Sequence, residues 1–63
     1  MNDTDKLRVL LPHWIEHNGE HAAEFRKWAE RAGPEVREAI LAAASLMDEA
    51  TVRLREAQNL IGE

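Results

Sequence analysis

The four residues AGPE, Ala32 to Glu35, interrupt a chain that is otherwise rich in helix-forming residues. Gly33 can adopt the left-handed backbone conformation that ends a helix, and Pro34 suits the first turn of the helix that follows. The short interruption forces the two helices into an antiparallel hairpin. The sequence therefore predicts one all-α domain, 1–63, with a first helix over about 4–32, a turn at 33–34 and a second helix over about 35–61.

The expected ends of the helices follow from residues that favour caps. Asp3 or Thr4 can cap the first helix, and Gly62 can close the second. Pro12 lies inside the first helix, where it removes a backbone hydrogen bond and clashes with the preceding turn, at a cost of ~3 kcal/mol. We therefore expect either a kink in the first helix near Pro12, or a short helix over 4–10 followed by a fresh start near Pro12.

Apolar residues recur in both halves at alternating steps of four and three, which is the spacing of a coiled-coil seam. The predicted seam consists of Leu7, Leu11, Trp14, Asn18, His21, Phe25, Trp28 and Ala32 in the first helix, and Val36, Ile40, Ala43, Met47, Ala50, Leu54, Ala57 and Ile61 in the second. In this register, large residues face small ones, as Phe25 faces Ala43.

A two-helix hairpin has one layer of contact, so part of this apolar surface would remain exposed to water. A chain of 63 residues also buries too little surface to be more than marginally stable. Two hairpins packed together as a four-helix bundle would bury the remaining apolar band. We therefore expect a homodimer.

Composition excludes several classes of function. The formal charge of −4 provides no basic stripe for nucleic acid, and no apolar run approaches the roughly 20 residues of a membrane span. The N-terminus lacks the apolar segment of a signal peptide. We expect a cytoplasmic protein that binds neither nucleic acid nor membrane. Because the chain has no cysteine, the remaining means of stabilising so small a fold are a bound metal or self-association.

The segment HWIEHNGEHAAE, His13 to Glu24, contains all three histidines and consists of three consecutive H-x-x-E units. These units pair His13 with Glu16, His17 with Glu20 and His21 with Glu24. Imidazoles and carboxylates three or four residues apart share one helix face, where they can attract each other weakly or bind one metal ion. The segment is thus open to more than one interpretation.

Three interpretations compete for this segment. In the first, the His–Glu pairs are structural, and Asn18 and His21 set the register of the bundle. In the second, His17 and His21, followed by Glu24, Glu20 and His13, bind a divalent transition metal, and a second copy completes the coordination. The third reads HNGEH as an inverted zinc-peptidase motif. We reject it, because so short a chain has no room for a substrate cleft, and we do not expect an enzyme.

The run LRVLLPHWIEHNGEHAAEFRKWAERA, Leu7 to Ala32, resembles a family of small uncharacterised helical domains. Their shared core is similar to L-L-P-H-W-x-E-H-N-x-E-H followed by an aromatic residue and W-A. Such domains stand alone or follow short nickel-binding modules. The resemblance implies a role in metal handling, with a nickel-handling protein as a partner, but it does not identify the ligands. Because imidazole suits both metals, we expect nickel or zinc as the cofactor.

The interpretation that combines these observations is a small non-catalytic metal-binding or metal-handling protein. The alternative is a helical dimerisation or protein-interaction module in which the histidines and Asn18 are structural. A further possibility is that the domain modulates a larger metal protein.

Overall fold

The computed structural model of the protein describes residues 2–62, so Met1 and Glu63 of the expected domain lie outside the described residues. Helix α1 spans Asp3–Ala29 and helix α2 spans Pro34–Ile61. The helices pack against each other as a hairpin, which confirms the predicted all-α fold. The hairpin measures 47 × 15 × 13 Å. These dimensions describe a single layer of two helices, whose outer surfaces are open to solvent.

The start of α1 is stabilised by Asn2. Its side-chain Oδ1 accepts a hydrogen bond of 2.8 Å from the backbone N–H of Asp5, and its own backbone is extended, as a cap requires. The prediction that Asp3 or Thr4 caps the helix is therefore wrong. All three residues favour caps, and the sequence alone does not choose between them.

The predicted break near Pro12 is absent, since α1 runs through Pro12 as one helix, and the alternative of a kink stays a prediction. The proline removes the hydrogen bond that would reach the carbonyl of Arg8. Pro12 is exposed, so water can solvate the carbonyl that has lost its partner. The proline ring also points away from α2 and does not disturb the contact between the helices.

The connection between the helices has a cap that the sequence did not reveal. Gly33 has an extended backbone with a φ of −67°, so the expected left-handed conformation is absent. The proline that follows favours this extended conformation. Carbonyls at the end of α1 and in the turn are instead bound by Arg37, whose guanidinium donates to the oxygens of Ala29 at 3.1 Å, Glu30 at 3.4 Å and Ala32 at 3.2 Å. Arg37 therefore ties the start of α2 to the end of α1.

Small residues line the contact between the helices. Within residues 2–62 the buried apolar residues are Leu11, Ala22, Ala29 and Ala44, with exposed fractions of 0–3%. Because three of the four are alanines, the two helix backbones can approach closely along this line. Leu11 fills the space nearer the open end of the hairpin.

The observed seam is rotated relative to the predicted one. In α1, Ile15, Ala22 and Ala29 take the positions predicted for Trp14, His21 and Trp28, which are exposed. The inward-facing residues of α1 are Leu7, Leu11, Ile15, Asn18, Ala22, Phe25 and Ala29. Those of α2 are Ile40, Ala43, Ala44, Met47, Thr51, Leu54, Ala57, Gln58 and Ile61. In α1 both sets recur at steps of three or four, so the correction concerns which of two neighbouring residues faces inward.

The second helix shows the same correction at two positions. Thr51 is buried, whereas Ala50, which was predicted to lie in the seam, is exposed. The Thr51 hydroxyl donates to the carbonyl of Met47 at 3.0 Å, so its burial leaves no unpaired polar group. Val36, also predicted in the seam, is 58% exposed near the turn. Gly62 closes α2 as expected, with a φ of +26°.

The rotated seam can be tested by placing leucine at two neighbouring positions. Ala22→Leu should lower the free energy of unfolding by about 1–3 kcal/mol, because it overfills a close contact. His21→Leu, at an exposed position, should change it by less than about 0.5 kcal/mol. Urea denaturation of both variants without metal measures the difference. If His21→Leu lowered the free energy of unfolding and Ala22→Leu did not, the predicted seam would be right and the rotated seam wrong.

The role of Arg37 can be tested with a matched pair of arginine variants in α2. Arg37→Met should lower the free energy of unfolding by about 1 kcal/mol, because it leaves carbonyls at the end of α1 and in the turn without their charged donor. Arg55→Met, at an exposed position further along the same helix, should have little effect. Equal effects of the two substitutions in thermal melts would contradict the cap.

Candidate metal-binding face

The three imidazoles lie one helical turn apart on α1, because residues four apart share a helix face. The ring centres of His13 and His17 are 4.3 Å apart, and those of His17 and His21 are 6.1 Å apart. Neighbouring rings are tilted by 51° and 52°. His17 is therefore the shared member of two imidazole pairs that form a continuous row along the helix.

The row lies on the outside of the hairpin. All three histidines are exposed, so the expectation that His21 occupies a buried core position is wrong. The half-buried Phe25 follows one turn later at the edge of the helix contact, with its ring centre 6.3 Å from that of His21. The imidazole nitrogens are thus accessible to a metal ion from solvent.

The glutamates of the motif do not join the imidazoles in a closed site. Glu16, Glu20 and Glu24 are exposed on α1, and none of them forms one of the ion pairs found among residues 2–62. Those pairs are Asp5–Arg8, Arg26–Asp48 and Arg53–Glu56. Across the same residues, no group of three or more His, Asp or Glu side chains is arranged to hold one ion. A single copy therefore supplies pairs of imidazoles but no complete ligand set.

Asn18, which was expected beside His21 in the core, is half-buried on the inward side of α1. Every buried side-chain nitrogen or oxygen in the described part of the chain has a hydrogen-bond partner. The fold therefore carries no stranded polar group that would need a metal or water to satisfy it. All three imidazoles of the chain are in the exposed row.

Large apolar side chains accompany the histidines on the outside of α1. Leu10 is 39% exposed, Trp14 is 40% exposed and Trp28 is 51% exposed. The Arg31 guanidinium lies 4.9 Å from the ring centre of Trp28, a cation–π contact at the turn end of the face. Both tryptophans were expected in the seam, with part of the apolar surface open to water, whereas the structure places them outside the seam.

An ion pair between the two helices lies at the opposite edge of the hairpin. Arg26 Nη2 donates to Asp48 Oδ2 at 2.6 Å across the two helices, although both side chains are about half exposed. Arg26 lies roughly 160° around α1 from Trp28, at 100° per residue in a helix. The interhelical ion pair and the aromatic surface are therefore on different sides of the molecule. Neither described helix has an apolar stretch long enough to cross a membrane.

The chain was compared with known proteins and families. No curated protein matches it, and no solved structure matches it. One family does match, and it covers residues 7–61, which include almost all of both helices and the whole histidine row. The chain belongs to the family described as Domain of unknown function (DUF8180).

Proposed function

We propose that the protein binds a divalent transition metal ion, nickel or zinc, through the exposed histidines of α1, and that it carries or transfers the ion without catalysis. The observation that supports the proposal is the row formed by His13, His17 and His21, whose adjacent rings are 4.3 and 6.1 Å apart. Imidazole is a favoured ligand of both metals.

The spacing of the rings suits two imidazoles bound to one ion. Zn–N bonds of about 2.0–2.1 Å at a tetrahedral angle put two ring centres roughly 5 Å apart. The two observed distances lie on either side of this value, so small side-chain rotations would bring either pair into position. Because rotamers of exposed side chains exchange rapidly, the row can form the chelate without a change in the backbone.

His17 has the largest role in this proposal because it belongs to both pairs. His21 completes one pair with His17, and His13 completes the other. Glu20 and Glu24 lie three residues after His17 and His21 on the same helix. They would provide charge compensation or a further oxygen ligand when an ion is bound.

The open position of the row favours carriage of the ion over chemistry on a substrate. Enzyme sites are concave and enclose most of the substrate, whereas the histidines lie on the convex surface of a single helix. Two ligands from one chain leave coordination positions free, so the ion can be passed to another protein. Such exchange is what a metal-handling protein requires.

The proposal predicts a specific order among the single histidine variants. His17→Ala should remove both imidazole pairs and raise the half-saturating nickel concentration by at least about tenfold. His13→Ala should retain the His17–His21 pair, and His21→Ala should retain the His13–His17 pair, so each should bind more tightly than His17→Ala. Isothermal titration with nickel and with zinc gives the order. If His17→Ala and the unaltered chain bound nickel equally well, the histidine row would be excluded as the metal site.

Thermal melts provide a second measurement on the same variants. A metal that binds the native state stabilises it by about 2.7 kcal/mol at one hundred times the dissociation constant. The melting temperature should therefore rise with nickel or zinc, return to its starting value with EDTA, and respond least in His17→Ala. A melting temperature that is indifferent to both metals would contradict the proposal.

The exposed apolar residues favour a second candidate function, a helical dimerisation or protein-interaction module. Trp14 and Trp28 keep 40% and 51% of their surface exposed, and aromatic side chains are common anchors of protein interfaces. In that case association should persist in EDTA and in a variant that lacks all three histidines. Association that requires both metal and histidines would favour metal binding.

A further inference from the structure

The outside of α1 carries a second stripe with coiled-coil spacing, beside the seam that contacts α2. We call it the outer stripe, and its steps again alternate between four and three. Its members are Leu10, Trp14, His17, His21, Glu24 and Trp28. All six are exposed. A helix with one such stripe against its partner and another facing water has an unpartnered packing surface.

The outer stripe contains an incomplete metal site at its centre. One chain supplies His17 and His21, whereas a closed transition-metal site in a protein usually has four ligands. Helical bundles complete such sites with side chains from facing helices. A second copy of this chain offers two further imidazoles on the same stripe, so the missing ligands are already present in an identical surface.

We infer that two copies pack their outer stripes together in antiparallel orientation, so that four imidazoles hold one divalent transition metal ion at the two-fold axis. This inference rests on the proposed function. His17 lies against the partner's His21, and His21 lies against the partner's His17, as two-fold symmetry demands. Each chain contributes half of the site, and neither chain has it alone.

The positions in the stripe favour this register. When the axis passes midway between His17 and His21, Leu10 reaches the partner's Trp28, and Trp28 reaches the partner's Leu10. Trp14 lies over the methylene groups of the partner's Glu24, whose carboxylate stays at the edge of the contact. The apolar residues at the two ends of the stripe thus shield the metal site from water.

Helix dipoles favour the antiparallel orientation over the parallel one. An antiparallel pair sets the α1 dipoles in opposite directions, whereas a parallel pair aligns them. The first turn of α1 carries Asp3 and Asp5, and a parallel pair would also bring these carboxylates near those of the second copy.

Cysteine cross-linking tests the orientation, and the absence of native cysteine makes the result easy to interpret. Leu10→Cys and Trp28→Cys are made separately, both at exposed positions that the hairpin fold does not need. The two variants, mixed in the presence of nickel and oxidised, should form a mixed disulfide dimer far faster than either forms a disulfide with itself. Faster cross-linking of each variant with itself would indicate a parallel pair and overturn the inference.

Metal stoichiometry and mass test the shared site. In sedimentation with nickel or zinc the chain should move from its monomer mass of 7.2 kDa to twice that mass, with one ion for two chains. His17→Ala and His21→Ala should each lose most of the metal-dependent dimer. Val52→Ser, which removes an exposed apolar residue of α2, is the control and should leave the dimer intact.

The possible failures are distinguishable. One ion bound to each 7.2 kDa monomer would overturn the shared site and leave the proposed function in place. A dimer that binds no metal and ignores the histidine substitutions would overturn both. A metal-dependent dimer that forms normally in His21→Ala would overturn the four-imidazole site, because one of its two ligands from each chain would be dispensable.

Discussion

The close approach of α1 and α2 along a line of alanines is the constraint on which the rest of the structure depends. Ala22, Ala29 and Ala44 have exposed fractions of 0–2%, and side chains at a helix contact determine the distance between the axes. A line this narrow has no room for an indole or an imidazole, so Trp14, Trp28 and His21 lie on the outer flank. The packing of the hairpin thus creates the surface on which the metal and dimer proposals depend.

The fold and the location of the turn could be predicted from the sequence, because Gly33 and Pro34 stand alone between two long amphipathic segments. The sequence was not sufficient for the rotation of the helices. A stripe through Trp14 and His21 and a stripe through Ile15 and Ala22 have almost the same spacing. Periodicity alone therefore does not decide which of the two faces the other helix. The structure selects the stripe that buries small apolar residues and leaves the imidazole in water, which avoids the cost of about 1–3 kcal/mol for burying an unpaired polar group.

The same limit applies to the candidate site. The spacing of His13, His17 and His21 was enough to predict one row of imidazoles, since it depends only on helix geometry within a single segment. Whether the row faced the core or solvent depended on tertiary contacts, as did the cap that Arg37 provides across the turn. The imidazole row could be predicted because it lies within one helix. Features that join two helices could not be predicted, because single-sequence patterns contain no distance between elements.

Because the core is small, a bound metal would also matter for the stability of the fold. Within residues 2–62 Leu11 is the largest of the buried apolar residues, so the hairpin has little apolar burial with which to offset the entropy of ordering its chain. A ligand that binds only the native form adds its binding free energy to the stability of that form. If four imidazoles from two chains share one ion, the stabilisation by metal depends on both the metal concentration and the protein concentration. Association, metal binding and folding would then be thermodynamically linked. Removal of the ion by an acceptor protein would release two hairpins of much lower stability.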